Sequence, residues 1–172
     1  MKRTKNTKAQ MISQVFIFIL AGLIFVLIIT YGYKAIQHFL ARSEQAALLD
    51  FKSDLESAVE SVKRDYGSVR KVELRLPTKF YTLCILDPEQ CTTPTFMHPE
   101  TRQSFTFNWM KDACETGSAN AFIAPRELDI SIPDVEVTGG AVCIPNIDGK
   151  VTLRMEGLGK KAKVSEWPLE KV

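Results

Sequence analysis

An uninterrupted apolar segment near the N-terminus constrains this chain more than any other feature. From Val15 to Ile29 every residue is apolar or glycine, and uncharged residues extend the segment to Tyr33. A bilayer core of ~30 Å requires about 20 such residues, whereas a cleaved secretory signal has an apolar core of about 7–15. A core helix of a small soluble domain would show a polar face. We therefore expect a transmembrane helix over about residues 12–33.

The charges that flank this segment predict its orientation. Four basic residues and no acidic residue precede it: Lys2, Arg3, Lys5 and Lys8. Basic residues favour the cytoplasmic side of a membrane, and aromatic residues such as Tyr31 and Tyr33 are common at its interfaces. We expect a basic cytoplasmic leader over residues 1–9, a single pass through the cell membrane and an extracytoplasmic domain.

The remaining charges are nearly balanced. Of the 22 basic residues, 18 remain after the four leader residues are removed, and the chain has 20 acidic residues, so the net charge of the remainder is −2. A nucleic-acid-binding protein needs a clustered basic face that neutralises phosphates. Nucleic acid is therefore not expected as a partner.

All four cysteines fall in the predicted outer domain: Cys84, Cys91, Cys114 and Cys143. An even number of cysteines outside the cytoplasm is typical of structural disulfides. Paired CxxC motifs are missing and neither His38 nor His98 has a partner at ligand spacing, so two disulfides are favoured over zinc or free buried thiols. Four cysteines permit three connectivities. We favour Cys84–Cys91, across the ILDPEQ turn, with Cys114–Cys143.

The helical pattern continues beyond the apolar segment. No Gly occurs between Gly32 and Gly67, no Pro occurs before Pro77, and good helix formers dominate. Apolar residues now recur at steps of three and four, which predicts one buried stripe: Leu48, Phe51, Leu55, Val59, Val62 and Tyr66. We expect a long helix over residues 10–66 that Gly67 ends. A break near Gly32, giving two helices, is the alternative.

After Gly67 the period of the apolar residues changes to two. Val72, Leu74 and Leu76 alternate with charged residues until Pro77, which predicts a half-buried strand. Further strands are expected at Phe80–Leu86, Ser104–Trp109, Leu128–Ile132, Val135–Thr138, Ala141–Ile144 and Lys150–Met155. A hairpin turn is expected at Asn146–Gly149, and loops at residues 87–103, at 116–119 and in the basic stretch after Gly157.

These patterns predict an α+β fold. The long N-terminal helix, transmembrane and then amphipathic, packs on a C-terminal antiparallel β-sheet head over residues 67–172.

The segment Lys-Ala-Gln-Met-Ile-Ser-Gln directly precedes the apolar run and resembles the class III signal peptide of archaeal type IV pilin-like proteins. In that family a prepilin peptidase cuts after a small residue that follows a basic one. The resemblance implies that Lys8 and Ala9 precede the cut and that Gln10 begins the mature chain. Gln14 takes the fifth mature position, where many pilins have Glu, and Ser13 stands one position later than the usual serine.

The resemblance implies a non-enzymatic surface or assembly subunit. Its partners would be the lipid bilayer, the prepilin peptidase and pilin-like subunits, including further copies of itself. The alternative is an uncleaved, signal-anchored envelope protein whose outer domain binds a ligand or a protein. We expect no enzyme and no cofactor, because the sequence has no GxSxG motif and no evident nucleophile–base pair. The carboxylates Asp129, Asp134, Glu136 and Asp148 lack the spacing of a calcium loop.

Overall fold

The computed structural model describes residues 7–98 and 101–168 of the chain, without the side chains of residues 7–15 and 41. The chain divides into two compact units, residues 1–44 and residues 45–172, which are described separately. In the first unit the described residues belong to helix α1 (Thr7–Arg64), which passes Gly32 without a break. The alternative of two helices is therefore not found.

The second unit is an α+β head. It contains the last part of α1, a short helix and ten strands within the described residues: α2 (Asn108–Glu115), β1 (Val69–Arg75), β2 (Thr82–Leu86), β3 (Thr95–Met97), β4 (Ser104–Thr106), β5 (Ala121–Ala124), β6 (Asp129–Ile130), β7 (Val135–Val137), β8 (Ala141–Pro145), β9 (Lys150–Gly157) and β10 (Ala162–Glu166).

The strands form two four-stranded sheets and a hairpin, where the sequence predicted one antiparallel sheet. Sheet 1 has the order β1-β9-β10-β7 and sheet 2 the order β6-β5-β2-β8, while β3 pairs with β4. All pairs are antiparallel except β10 with β7. Strand β10 lies partly in the basic stretch that was expected as a loop; it pairs with β9, which directly precedes it, and with β7.

The apolar stripe of α1 packs into the main core of the head. Phe51, Leu55, Val59 and Val62 are at most 3 % exposed, which confirms their predicted burial. They share one cluster with inward-facing residues of both sheets: Leu74, Leu83, Ile85, Ile123, Val151, Leu153, Met155 and Val164. The inclusion of Tyr66 in the stripe is wrong.

Tyr66 is exposed because the helix ends at Arg64, before the stripe would reach it. Gly67 then takes a positive φ of 76°, and its N–H donates to Gly157 O at 2.8 Å. A Cβ on Gly157 would stand 2.3 Å from the carbonyl oxygens of Val62 and Asp65. Gly157 therefore lets the last turn of α1 lie directly on the backbone of β9.

Besides β10, three elements differ from the predicted strands and loops: α2, β5, and β3, which lies within the predicted loop of residues 87–103. The expected strand Ser104–Trp109 ends at Thr106 and is followed by α2, in which Met110 and Cys114 are buried at helical spacing. Strand β5 lies where the sequence shows no alternation, because all four of its residues are buried. A strand covered on both faces lacks the period of two that identifies a half-buried one.

We predict that Leu55→Asp unfolds a soluble fragment of residues 43–172. Leu55 is 0 % exposed, so the substitution removes its burial, which contributes about 1.5–3 kcal/mol, and places a carboxylate without a partner in the core. Glu56→Ala is the matched control. It changes the adjacent helix residue, whose side chain is exposed, and should leave the free energy of unfolding nearly unchanged. Circular dichroism and size-exclusion chromatography measure both. A folded, monomeric Leu55→Asp fragment would contradict the packing of α1 described here.

Candidate membrane anchor and disulfide-bonded head

The first part of α1 carries an apolar surface that the described chain leaves uncovered. Every residue from Phe16 to Leu40 is exposed, including Phe18 at 76 % and Ile28 at 65 %. Within the described residues, α1 is the one helix long and apolar enough to cross a membrane. Contiguous apolar surface of this extent is unfavourable in water and requires cover by lipid or by other helices.

Polar groups along this surface are compatible with an apolar surrounding. The hydroxyl of Thr30 donates to the carbonyl oxygen of Val26 at 2.7 Å, so the helix itself satisfies it. Tyr31 and Tyr33 expose 70 % and 64 % of their surface. Rings with an apolar body and a polar tip favour the boundary between lipid and water.

The four residues expected to guide leader processing lie at the start of α1. Lys8, Ala9, Gln10 and Gln14 are helical in backbone, and their side chains lie outside the described residues. Their part in processing stays a prediction.

The head contains two disulfides, and their connectivity differs from the favoured one. Cys84 is bonded to Cys143 and Cys91 to Cys114, so the expected Cys84–Cys91 and Cys114–Cys143 pairs are wrong. Cys84 on β2 stands directly opposite Cys143 on the neighbouring strand β8. This pairing follows from sheet register, which the local spacing of cysteines does not reveal.

A buried carboxylate shapes the turn that separates Cys91 from Cys84. Asp87 is 2 % exposed, and its two carboxylate oxygens accept from Glu89 N at 2.9 Å and from Val137 N at 3.2 Å. Its carbonyl oxygen accepts from the backbone N–H of Cys91 at 2.9 Å. Because all of these bonds constrain the same turn, Cys91 is held beside Cys114 of α2.

The side chain of Asn120, just before β5, links the end of β2 to the residue Ile132 that follows β6. Its amide donates to Leu86 O at 3.2 Å and to Ile132 O at 2.9 Å, and its side-chain oxygen accepts from Ile132 N. One side chain thus satisfies three buried backbone groups at this edge of sheet 2. The sequence analysis gave Asn120 no role, because an isolated Asn carries no spacing signal.

Charged side chains attach the end of α1 to the segment before β7. Lys63 Nζ lies 2.7 Å from Asp134 Oδ2 and also contacts Glu60. The hydrogen bond to Asp134, followed by that to Glu60, raises the pKa of Lys63. Hydrogen bonds from Lys63 and Arg64 lower the pKa of Glu60 from its ordinary value of 4.5. The Glu60 contribution to stability is therefore present above pH 4.5 and is lost as the pH falls through its folded pKa.

The carboxylates considered for calcium are dispersed or paired with bases. Asp129 binds Arg126, at 2.6 Å for its closer oxygen, and Asp134 binds Lys63. Within residues 7–98 and 101–168, no three His, Cys, Asp or Glu side chains are grouped as metal ligands. Comparisons with protein-family models, with curated proteins and with solved structures gave no match.

We predict that the two disulfides stabilise the head unequally. They close loops with sequence separations of 59 residues for Cys84–Cys143 and 23 for Cys91–Cys114. In the chain-entropy model their removal costs about 4 and about 3.5 kcal/mol, respectively. Urea unfolding of the Cys84→Ala/Cys143→Ala and Cys91→Ala/Cys114→Ala variants compares them. Peptide mapping without reduction should find both linked pairs, and free thiols in protein taken from its native membrane would contradict this assignment.

Proposed function

We propose that this chain is a non-enzymatic, pilin-like surface or assembly subunit. Its helix holds it in the cell membrane with the N-terminus in the cytoplasm, and its head lies outside. The observation that carries the proposal is the change of burial along α1. The helix is exposed from Phe16 to Leu40 and carries no charge from Phe16 to Tyr33, and it then buries only one stripe from Leu48 to Val62.

This change of burial corresponds to a change of surrounding solvent. A helix that is apolar on all sides is stable in lipid or among other apolar helices, whereas a single apolar stripe is typical of a helix at the surface of a water-soluble domain. Two disulfides in the head support an oxidising compartment, because cytosolic thiols are kept reduced. Both observations agree with an anchored subunit that presents its head outside.

The leader motif supports the pilin-like form of this role. Cleavage between Ala9 and Gln10 would remove the basic residues and leave the apolar part of α1 attached to the head. Apolar helices of several subunits would then pack together in the membrane or in the core of an assembly. Dispersion and close packing, helped by the small residues Ala21 and Gly22, would drive that association.

We predict that the mature chain begins at Gln10. Intact mass and N-terminal sequencing of membrane-extracted protein measure this directly. Ala9→Trp should block the cleavage, because the peptidase cuts after a small residue, and Thr4→Trp is the control that leaves the cut position unchanged. A mature chain that retains Lys2 to Ala9 would exclude the pilin-like role and leave the uncleaved signal-anchored envelope protein.

A further inference from the structure

An open cleft in the head is lined by charges of both signs. The cleft has a volume of about 760 Å³ and lies between α1 and the ends of β1 and β9. Asp50 and Asp54 of α1 form one side, here called the acidic wall. Arg75 of β1 and Lys150 of β9 form the other side, here called the basic wall, and Asp148, two residues before Lys150, also lines the cleft. Apolar residues lie between the walls: Phe51, Leu76 and Pro77.

Each wall consists of two like charges at neighbouring positions. Asp50 and Asp54 are four residues apart on a helix, a spacing at which like charges destabilise by about 0.2–0.5 kcal/mol. Arg75 stands directly opposite Lys150 in the register of β1 with β9, and like charges in that arrangement also repel. Within each wall the two like charges therefore repel each other.

Neighbouring charges of the same elements are paired, whereas those of the walls are not. Lys52 pairs with Glu56 at 3.8 Å on α1, and Lys71 pairs with Glu73 at 2.7 Å on β1. The pKa of Glu73 is lowered mainly by its hydrogen bond with Lys71. The charge of Lys150 lowers it further by a smaller amount, without an ion-pair contact. In the described part of the chain, none of the four wall residues forms an ion pair.

We propose that this cleft is a contact between the heads of two copies of this chain. The acidic wall of one copy faces the basic wall of the other, and a two-fold axis makes both contacts at once. A two-fold contact uses the same patch on both subunits, so it requires a patch that is complementary to itself. The two walls meet this requirement, and each like-charge pair gains ion-pair contacts, which the described part of its own chain does not give it.

Apolar side chains beside the walls add area to this contact. Leu49 is 64 % exposed and precedes Asp50, and Ile147 is 46 % exposed in the hairpin turn that leads to Lys150. Charge complementarity alone gives register and orientation, and exposed apolar groups supply the area that a stable association needs. The contact rests on the proposed function, because it specifies how the heads of an assembly subunit meet.

The first test uses the full chain in mild detergent, as an equal mixture of ¹⁴N-labelled and ¹⁵N-labelled protein. A carbodiimide joins a carboxylate to an amine only where the two touch, and it does not react with Arg75. The proposal expects peptides that join Asp50 or Asp54 of one isotope to Lys150 of the other. Links only within one isotope, or Lys150 linked to a different protein or small molecule, would overturn it.

The second test reverses each wall. Asp50→Lys/Asp54→Lys gives a chain with two basic walls, and Arg75→Glu/Lys150→Glu gives a chain with two acidic walls. Each variant alone should dimerise at least about 10-fold more weakly, because like walls then face each other, and an equal mixture of the two should regain the dimer. Analytical ultracentrifugation in detergent at low and high salt measures association, which should weaken as salt screens the charges.

Matched controls carry the same changes of charge elsewhere on the head. Asp112→Lys/Glu115→Lys reverses two exposed acids on α2, and Lys71→Glu/Arg154→Glu reverses another directly opposed pair of β1 and β9. Both controls should associate as the unaltered chain does. Circular dichroism confirms that every variant is folded, which the exposure of the substituted side chains favours.

The outcomes separate this contact from the proposed function. A chain that is monomeric at all concentrations, a dimer that survives wall reversal, or a mixture that fails to regain it would each overturn the contact. The apolar helix is identical in every variant, so association through it alone would appear as survival of the dimer. Cleavage before Gln10 is measured independently, and its failure would overturn the pilin-like role while leaving a cross-linked head contact intact.

Discussion

The apolar stripe of α1 is the surface around which the head is organised. Sheet 1 and sheet 2 both contribute side chains to the cluster that contains Phe51 and Leu55, so one face of the helix completes the core that the two sheets share. Burying a large apolar side chain contributes about 1.5–3 kcal/mol, and the stripe supplies several such residues from one continuous element. In sheet 1, every second residue of β9 is buried, and Leu74 is the buried residue of β1; all of these apart from Gly157 belong to the same cluster as the helix stripe.

A second, smaller core gives sheet 2 a different character from sheet 1. Its outer face packs against α2 through Met110, Phe122 and the cysteines, so β2 and β5 are buried on both sides. Both disulfides lie in this layer. The outer face of sheet 1, in contrast, carries charged residues such as Lys71, Glu73 and Arg154. The head therefore has one part made of α1 and the half-exposed sheet 1, and a second part, made of sheet 2 and α2, that contains both disulfides.

Periodicity identified the stripe of α1 and strand β1, because each depends on residues close in sequence. The expected turn before β9 is present, but it joins β8 of sheet 2 to β9 of sheet 1, so these strands do not form the expected hairpin. Strand β5 has no period of two because it is buried on both faces, and Tyr66 was misplaced because the helix ends at Arg64. Helix α2 lies partly in a predicted strand and strand β10 partly in a predicted basic loop. The disulfide pairing failed because the register of β2 with β8 is a non-local property. The walls of the cleft were predictable from the sequence only in part. Asp50 and Asp54 share a helical face, but Arg75 and Lys150 become neighbours only through the pairing of β1 with β9.

The position of the disulfides has a mechanical consequence. Both covalent loops lie within residues 84–143, so they enclose neither α1 nor β1, nor the strands β9 and β10 that follow. A tensile load entering the head through α1 would act first on the hydrogen bonds of β1 with β9 and on the buried helix stripe. The layer around α2 would keep its shape at extensions that detach the helix. Under load, the head would thus yield in a fixed order, with its non-covalent half extending before its cross-linked half.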